Sequence, residues 1–283
     1  MIRFGVHCSL RDGLPGALRE AKRIGCESMQ IFTRSPRVWK MRIPSPEEVS
    51  EFLSLRTEFG IHPLIVHTPY LPNLATSNKA LYRMSLQCLQ DDLTIAQQLK
   101  ADYLVIHPGS YSQESSVEEG IATISRAINK VLNATPGDTM ILLENAAGGG
   151  RRLASSAQEL ADMMAGIRDK RRIGVCFDTA HAFGAGYDLS NAKGIKATLN
   201  EFDRIVGLSS IKVIHFNDSI VELGSRKDRH QHLGKGCIGA EGFARFVRLV
   251  KDIVPAGILE TPKDTPASDS RNLKLLFRWR KEA

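Results

Sequence analysis

The chain is short of cysteine, and the few it has form no pattern. Cys8, Cys26, Cys88, Cys176 and Cys237 are odd in number, scattered, and never spaced C-x-x-C. This argues against a disulfide framework or a thiolate metal site and fits a reducing, cytoplasmic setting. No apolar run reaches membrane-spanning length, and residues 1–6 read as a first strand rather than the start of a signal peptide. Linkers, low-complexity tracts and short repeats are lacking too, so the 283 residues are expected to form one domain, 1–283. Nor is there a decisive excess of one charge. The 38 basic and 31 acidic residues leave +7, a balance many proteins carry without meeting a polyanion. Where the cations lie matters more than their sum.

What the chain does have is alternation. Short runs rich in Val and Ile, at 3–7, 29–32, 64–67, 103–107, 140–144, 174–178, 213–216 and 257–260, read as strands. Between them, segments such as 46–59, 80–99, 117–132, 157–167 and 241–253 carry apolar residues at i, i+3, i+4 and i+7, the spacing of helices lying on a sheet. Ser45 and Ser115-Ser116 precede acidic first turns as N-caps do, and Gly60 and Gly166 read as helix stops. Eight strands alternating with helices predict an α/β fold, a single (β/α)8 TIM barrel, with a doubly wound open sheet as the alternative.

Catalytic groups of such barrels sit at the C-terminal ends of the strands. Here six successive strands end in an imidazole or a carboxylate: His67, His107, Glu144, Asp178 with His181 just beyond, His215 and Glu260. One histidine at a strand end is more often a hydrogen-bonded structural residue than a ligand, and Asp178 or Glu144 alone serves as well to cap a helix. Six in order is different, because gathering so many ionisable groups at one mouth is costly without an opposing charge. Residues 227–236 add Asp228 and His230, whose i, i+2 spacing puts both on one side of an extended backbone. Nine candidate ligands exceed one tetrahedral shell, and their mixed N/O character suits zinc or manganese in a cluster of about three ions.

The motifs His67-Thr68-Pro69-Tyr70-Leu71-Pro72-Asn73-Leu74-Ala75, His107-Pro108-Gly109-Ser110, Leu143-Glu144-Asn145, Phe177-Asp178-Thr179-Ala180-His181, His215-Phe216-Asn217-Asp218-Ser219 and residues 228–236 resemble those of the endonuclease IV family, in the family's order. The resemblance implies a zinc-dependent apurinic/apyrimidinic endonuclease of base-excision repair. It would cut duplex DNA 5′ to abasic sites, leave 3′-hydroxyl and 5′-deoxyribose-phosphate ends, and also remove 3′-blocking groups. It further implies three Zn2+ ions, with Mn2+ an option in part. His67 and His107 would bind the first, Glu144 would bridge it to the second, held also by Asp178, His215 and Glu260, and His181, Asp228 and His230 would hold the third. Glu144 and Glu260 are the implied catalytic residues, positioning the attacking water. Arg37, Tyr70 and Leu71 are the implied wedge at the flipped-out lesion, and a monomer is expected. His7 is expected to support the ligands from behind, His62 to be structural, and His232 has no assigned role. The segment 145–150, with three glycines where family members typically carry a Thr or Met and later a Gln, departs from the pattern near the DNA, as does Val38 before Trp39.

The cations then gain a place. Arg34, Arg37, Lys40 and Arg42 follow strand two, Arg151 and Arg152 strand five, and Arg226, Lys227, Arg229 and Lys235 strand seven. All are expected on the metal face, with Arg229 and Lys235 reaching phosphates. The nearest rival is a divalent-metal sugar isomerase or epimerase of the xylose-isomerase-like group, which needs only a core resembling Glu144, Asp178, His215 and Glu260. A non-catalytic nucleic-acid-binding barrel leaves the ligands unexplained.

Overall fold

The eight apolar runs are strands in the computed structural model, which describes residues 1–282. They are β1 Arg3–Cys8, β2 Ser28–Phe32, β3 Leu64–His67, β4 Tyr103–Ile106, β5 Met140–Glu144, β6 Ile173–Asp178 and β7 Ile211–His215, followed by β10 Ala256–Leu259. Between the last two lies an antiparallel pair, β8 Asp218–Ser219 and β9 His230–Gln231, which the apolar pattern did not disclose. The eight long strands pair in parallel in the order β1-β10-β7-β6-β5-β4-β3-β2, and β1 also pairs with β2. The sheet is therefore a closed barrel and not an open doubly wound one. Helices α1 Gly13–Ile24, α2 Pro46–Phe59, α3 Lys79–Gln98, α4 Val117–Ala134, α5 Ala157–Ala165, α6 Thr179–Ala185, α7 Ala192–Ile205, α8 Gly239–Val250 and α9 Ser268–Lys281 complete the α/β alternation. No helix among the described residues is long and apolar enough to cross a membrane.

Local chemistry sets the helix limits. Ser45 accepts from the Glu48 amide ahead of Pro46, and Gly60 ends α2 in the left-handed region at φ 66°. Ser116 and Glu119 form a reciprocal capping box at α4. Gly166 also ends its helix, but at φ −75°, so α5 stops at Ala165, short of the expected 167, without a left-handed cap.

The lumen explains why the polar residues meet. Ile65, Val105, Leu142, Cys176, Val213 and Ile258 form a buried cluster inside the barrel. Two residues further along each segment, on the same face of the pleat, stand His67, His107, Glu144, Asp178, His215 and Glu260. Because the strands are parallel, all six arrive at the same, C-terminal rim. His107, Phe216 and Glu260 lie one residue past the strands expected to contain them. For Glu260 the reason is visible: its amide donates to Asn217 Oδ1 at 3.0 Å instead of to the ladder.

Candidate metal centre

Glu144 is fully buried at the centre of the rim. Its Oε2 lies 3.0 Å from His67 Nε2 and 3.6 Å from His107 Nε2, while Oε1 lies 3.1 Å from His215 Nδ1 and 3.2 Å from His181 Nδ1. One carboxylate thus faces two imidazoles with each oxygen, the disposition of a bridge. In each of three groups the candidate ligand atoms lie within 4.8 Å of one another: His67, His107 and Glu144; Glu144, Asp178, His215 and Glu260; and Asp178, His181 and His230. Glu144 joins the first two groups and Asp178 the last two. Asp228, the most exposed ligand candidate, closes the third group from outside, 3.3 Å from both His181 Nε2 and His230 Nε2.

Asp178 is both cap and ligand candidate. Its Oδ1 accepts from the His181 amide at 2.7 Å, starting α6, and Oδ2 accepts from Asn217 Nδ2 at 2.6 Å while facing His215 Nδ1 at 3.8 Å and His230 Nε2 at 3.7 Å. The cap fixes His181 one helical turn from Asp178, inside the same cluster.

The imidazoles are set up to ligate a cation. A carbonyl oxygen only accepts, so the ring nitrogen facing one must carry the hydrogen. His67 Nδ1 meets Thr68 O at 2.6 Å and His181 Nδ1 meets Asn145 O at 2.9 Å. In the neutral ring the Nε2 lone pair of each therefore points into the cluster, as metal-binding histidines require. His230 Nε2 is buried, aimed at Asp178 and Asp228, and without a hydrogen-bond partner among the described residues. An orphaned imidazole nitrogen among carboxylates fits a divalent ion.

The electrostatics agree. Burial pushes His107 down to about 4 although Glu144 pulls it up, leaving the neutral form that ligation needs. Burial raises Glu144, but His107 and His215 outweigh it and hold the carboxyl well below the usual range. Burial likewise raises Glu260, and His215 and His7 reverse it. For His181 burial lowers and Asp178, Asp228 and Glu144 raise, with the net shift well upward, so these carboxylates draw onto the ring a proton that a bound cation would displace. Carboxylates packed this closely demand positive charge, which divalent cations satisfy.

His7 Nδ1 sits 3.0 Å from Glu260 Oε1, behind the ligands. His62 lies at the opposite end of the barrel beside Asp102 and Arg56. His232 Nε2 contacts Asp264 at 3.1 Å and its Nδ1 contacts Asn272 Nδ2 at 2.9 Å, tying the β9 loop to α9. Sequence reasoning missed Gln30, which is fully buried on β2 and bonded to His7, Glu260 and His215. An uncharged strand residue carries no signal of its own; only its lumen-facing place, in register with His7, marks it.

Tyr70 is 60% exposed over the ligand rings, 5.9 Å from His107 and 6.4 Å from His67, and its amide donates to Pro36 O at 3.1 Å. Leu71 beside it is half-buried. Arg37, Lys40, Arg151, Arg152, Arg226, Lys227, Arg229 and Lys235 are exposed on the loops of this rim. Two expected members of that cationic surface are committed elsewhere. Arg34 is buried against Asp92 at 2.6 Å, and Arg42 pairs with Glu48 at 2.7 Å. The glycine loop after β5 packs on the loop after β7, since a Cβ at Gly149, φ 89°, would lie 2.7 Å from Arg226 O.

Residues 18–282 match a family model described as a xylose isomerase-like TIM barrel. A probable endonuclease 4 of Halothermothrix orenii is 41% identical over 264 residues, covering 93% of this chain and 94% of its own length. The crystal structure of endonuclease IV from Thermus thermophilus is similar at TM-score 0.88 and 37% identity, over 99% of this chain and 100% of that one. A D-tagatose 3-epimerase-like protein shares only the fold, at TM-score 0.75 and 19% identity over 99% of this chain and 98% of its own. The chain belongs to the endonuclease IV family of xylose isomerase-like TIM barrels.

Proposed function

We propose that this protein is a DNA-repair endonuclease that hydrolyses the phosphodiester 5′ to abasic sites in duplex DNA, leaving 3′-hydroxyl and 5′-deoxyribose-phosphate ends, and that it also removes 3′-blocking groups. The observation that carries this reading is the set of three ligand groups chained through Glu144 and Asp178. A sugar isomerase or epimerase needs the single group Glu144, Asp178, His215 and Glu260. It leaves His67, His107, His181, Asp228 and His230 without a task. Three groups suit three ions, and mixed imidazole and carboxylate donors suit zinc, with manganese acceptable in part of the cluster. We take the whole of 1–283 as one catalytic domain, acting as a monomer in the cytoplasm; the five cysteines, four of them buried, are free, which fits a reducing compartment.

When bound, the ions supply charge neutralisation on the phosphate and acidify water at neutral pH. The chain does the placing. Glu144 Oε1 and Glu260 Oε2 converge on His215 Nδ1 at 3.1 and 3.3 Å, and these two carboxylates orient the attacking water. His181, Asp228 and His230 would hold the ion that stabilises the leaving 3′-oxygen. Arg229 and Lys235 hold phosphates, and Arg37, Tyr70 and Leu71 fill the gap left by the flipped-out lesion.

Incision of a duplex carrying a tetrahydrofuran abasic analogue tests the reaction, because that sugar cannot undergo β-elimination. We expect cutting 5′ to the analogue, loss of cutting after chelation, recovery with zinc, and about three zinc ions per chain. Cutting confined to aldehydic sites would instead mark a lyase, and a metal content of one or two ions an isomerase.

Tyr70→Ala separates DNA contact from metal binding. Aromatic stacking on a base is worth about 1–3 kcal/mol, so affinity for the abasic duplex should fall roughly ten- to a hundredfold with zinc content unchanged. A parallel fall in zinc content would make Tyr70 a structural support of His67 and His107.

A further inference from the structure

Gln30 reaches across the lumen. It stands on β2, yet its amide contacts Glu260 just past β10 and His215 on β7, two and three strands away round the barrel. Its Nε2 lies 2.6 Å from Glu260 Oε1 and 2.9 Å from His7 Nδ1, and its Oε1 lies 2.9 Å from His215 Nε2. The chemistry of the neighbours fixes which way the amide points. A carboxylate of low proton affinity only accepts, so the NH2 group must be the one on Glu260, and the carbonyl oxygen then faces His215. That oxygen also only accepts, so His215 Nε2 carries a hydrogen.

The consequence falls on Nδ1 of the same ring, which faces Glu144 Oε1 at 3.1 Å, Glu260 Oε2 at 3.3 Å and Asp178 Oδ2 at 3.8 Å. In a neutral ring left to itself, three carboxylates favour a hydrogen on Nδ1, and that hydrogen would occupy the position a cation needs. The carbonyl of Gln30 pulls the other way, rewarding the form with hydrogen on Nε2 and a lone pair on Nδ1. The same amide holds Glu260, the neighbouring member of the group.

We propose that Gln30 is the positioning residue of the central ion. It selects the His215 tautomer that presents Nδ1 and orients Glu260 beside it. This rests on the reading of the cluster as a metal centre. Groups that orient ligands from behind typically change metal affinity about ten- to a hundredfold when removed.

The variant Gln30→Met keeps length and volume without the amide. Apo Gln30→Met should stay folded and melt somewhat below apo wild type, because three buried partners lose their bonds, and competition with a chelator of known zinc affinity should show the weakening at one ion per chain, by roughly ten- to a hundredfold. Gln30→Asn keeps the amide one methylene short and should weaken zinc similarly. Unchanged zinc affinity in a folded Gln30→Met overturns the proposal. Wild type that binds no zinc overturns the metal reading itself, a distinct failure. Should Gln30→Met not fold, 15N histidine spectra of zinc-loaded wild type decide: His215 metallated at Nδ1 with hydrogen on Nε2 supports the role, and metallation at Nε2 overturns it.

Discussion

Glu144→Gln is expected to lower incision of a tetrahydrofuran duplex by at least about a thousandfold and to deplete the protein of bound metal, while leaving its affinity for the duplex within a few-fold of wild type. The substitution keeps shape and removes one charge, and it replaces an accepting oxygen with an NH2 donor. Glu144 meets four imidazoles, two per oxygen, at 3.0 to 3.6 Å. An amide can serve one side of that arrangement and must present its donor to the other, so the bridge between the first two ligand groups fails. Lewis-acid stabilisation of the transition state is worth several kcal/mol. With about 1.4 kcal/mol per factor of ten, a loss of about 4 kcal/mol is a thousandfold. Duplex affinity survives because the exposed cations of the rim, Arg37, Arg151, Arg152, Arg229 and Lys235, lie outside the cluster. Single-turnover incision, metal analysis and duplex binding on one preparation measure all three. More than a tenth of wild-type rate with full metal content would sink the bridging role.

The gathering of these side chains at one rim was legible in the sequence because two periodicities coincide there. In a parallel barrel every strand presents its alternate residues to one lumen, and His67, His107, Glu144, Asp178, His215 and Glu260 each stand two places after an apolar lumen residue. Strand-end chemistry therefore transfers to space without knowledge of the tertiary fold. What did not transfer were interactions set by distance rather than period. Gln30 meets His215 across 185 positions, and nothing in β2 announces it. Asp178 was expected to be a cap or a ligand, and because a carboxylate has two oxygens it both caps α6 and faces the cluster. The β8–β9 pair is too short for an apolar pattern, yet it aligns Ser219 with His230. Arg34 misled for the same reason. In sequence it is one of four cations in a basic loop, and in space it points inward to an aspartate on α3.

Removing that aspartate is expected to destabilise the protein by about 3–5 kcal/mol, because Asp92→Ala takes its close carboxylate from a buried guanidinium and leaves it only Asp91, at 4.0 Å, as an ionic partner. Both side chains are nearly inaccessible, at 2% for Arg34 and 0% for Asp92. Asp92 Oδ1 accepts from Arg34 Nη2 at 2.6 Å and Nε at 3.0 Å and also from Thr33 Oγ1, while Oδ2 accepts from Cys88 Sγ at 3.4 Å. Burial still pushes the Asp92 carboxyl upward, against the pull of Arg34 and these donors. Against a typical total of 5–15 kcal/mol the loss is large, and the melting temperature should drop by roughly 10 °C. The effect should not stop at stability. Arg34 Nη1 donates to Trp39 O at 2.6 Å, tying down the segment 33–42 that displays Arg37 and Lys40, and Pro36 in that segment accepts from the Tyr70 amide. The double variant Arg34→Met with Asp92→Leu separates the two consequences. Apolar replacement of a buried ion pair is often neutral or stabilising, so the double variant should recover the melting temperature. It cannot restore the bond to Trp39 O, so affinity for the abasic duplex should stay reduced while zinc content matches wild type. A single variant that melts like wild type, or a double variant that recovers DNA affinity along with stability, would overturn this account. In the expected outcome the pair is retained for the shape of the basic loop 33–42, since as a source of stability it could be replaced by methionine and leucine.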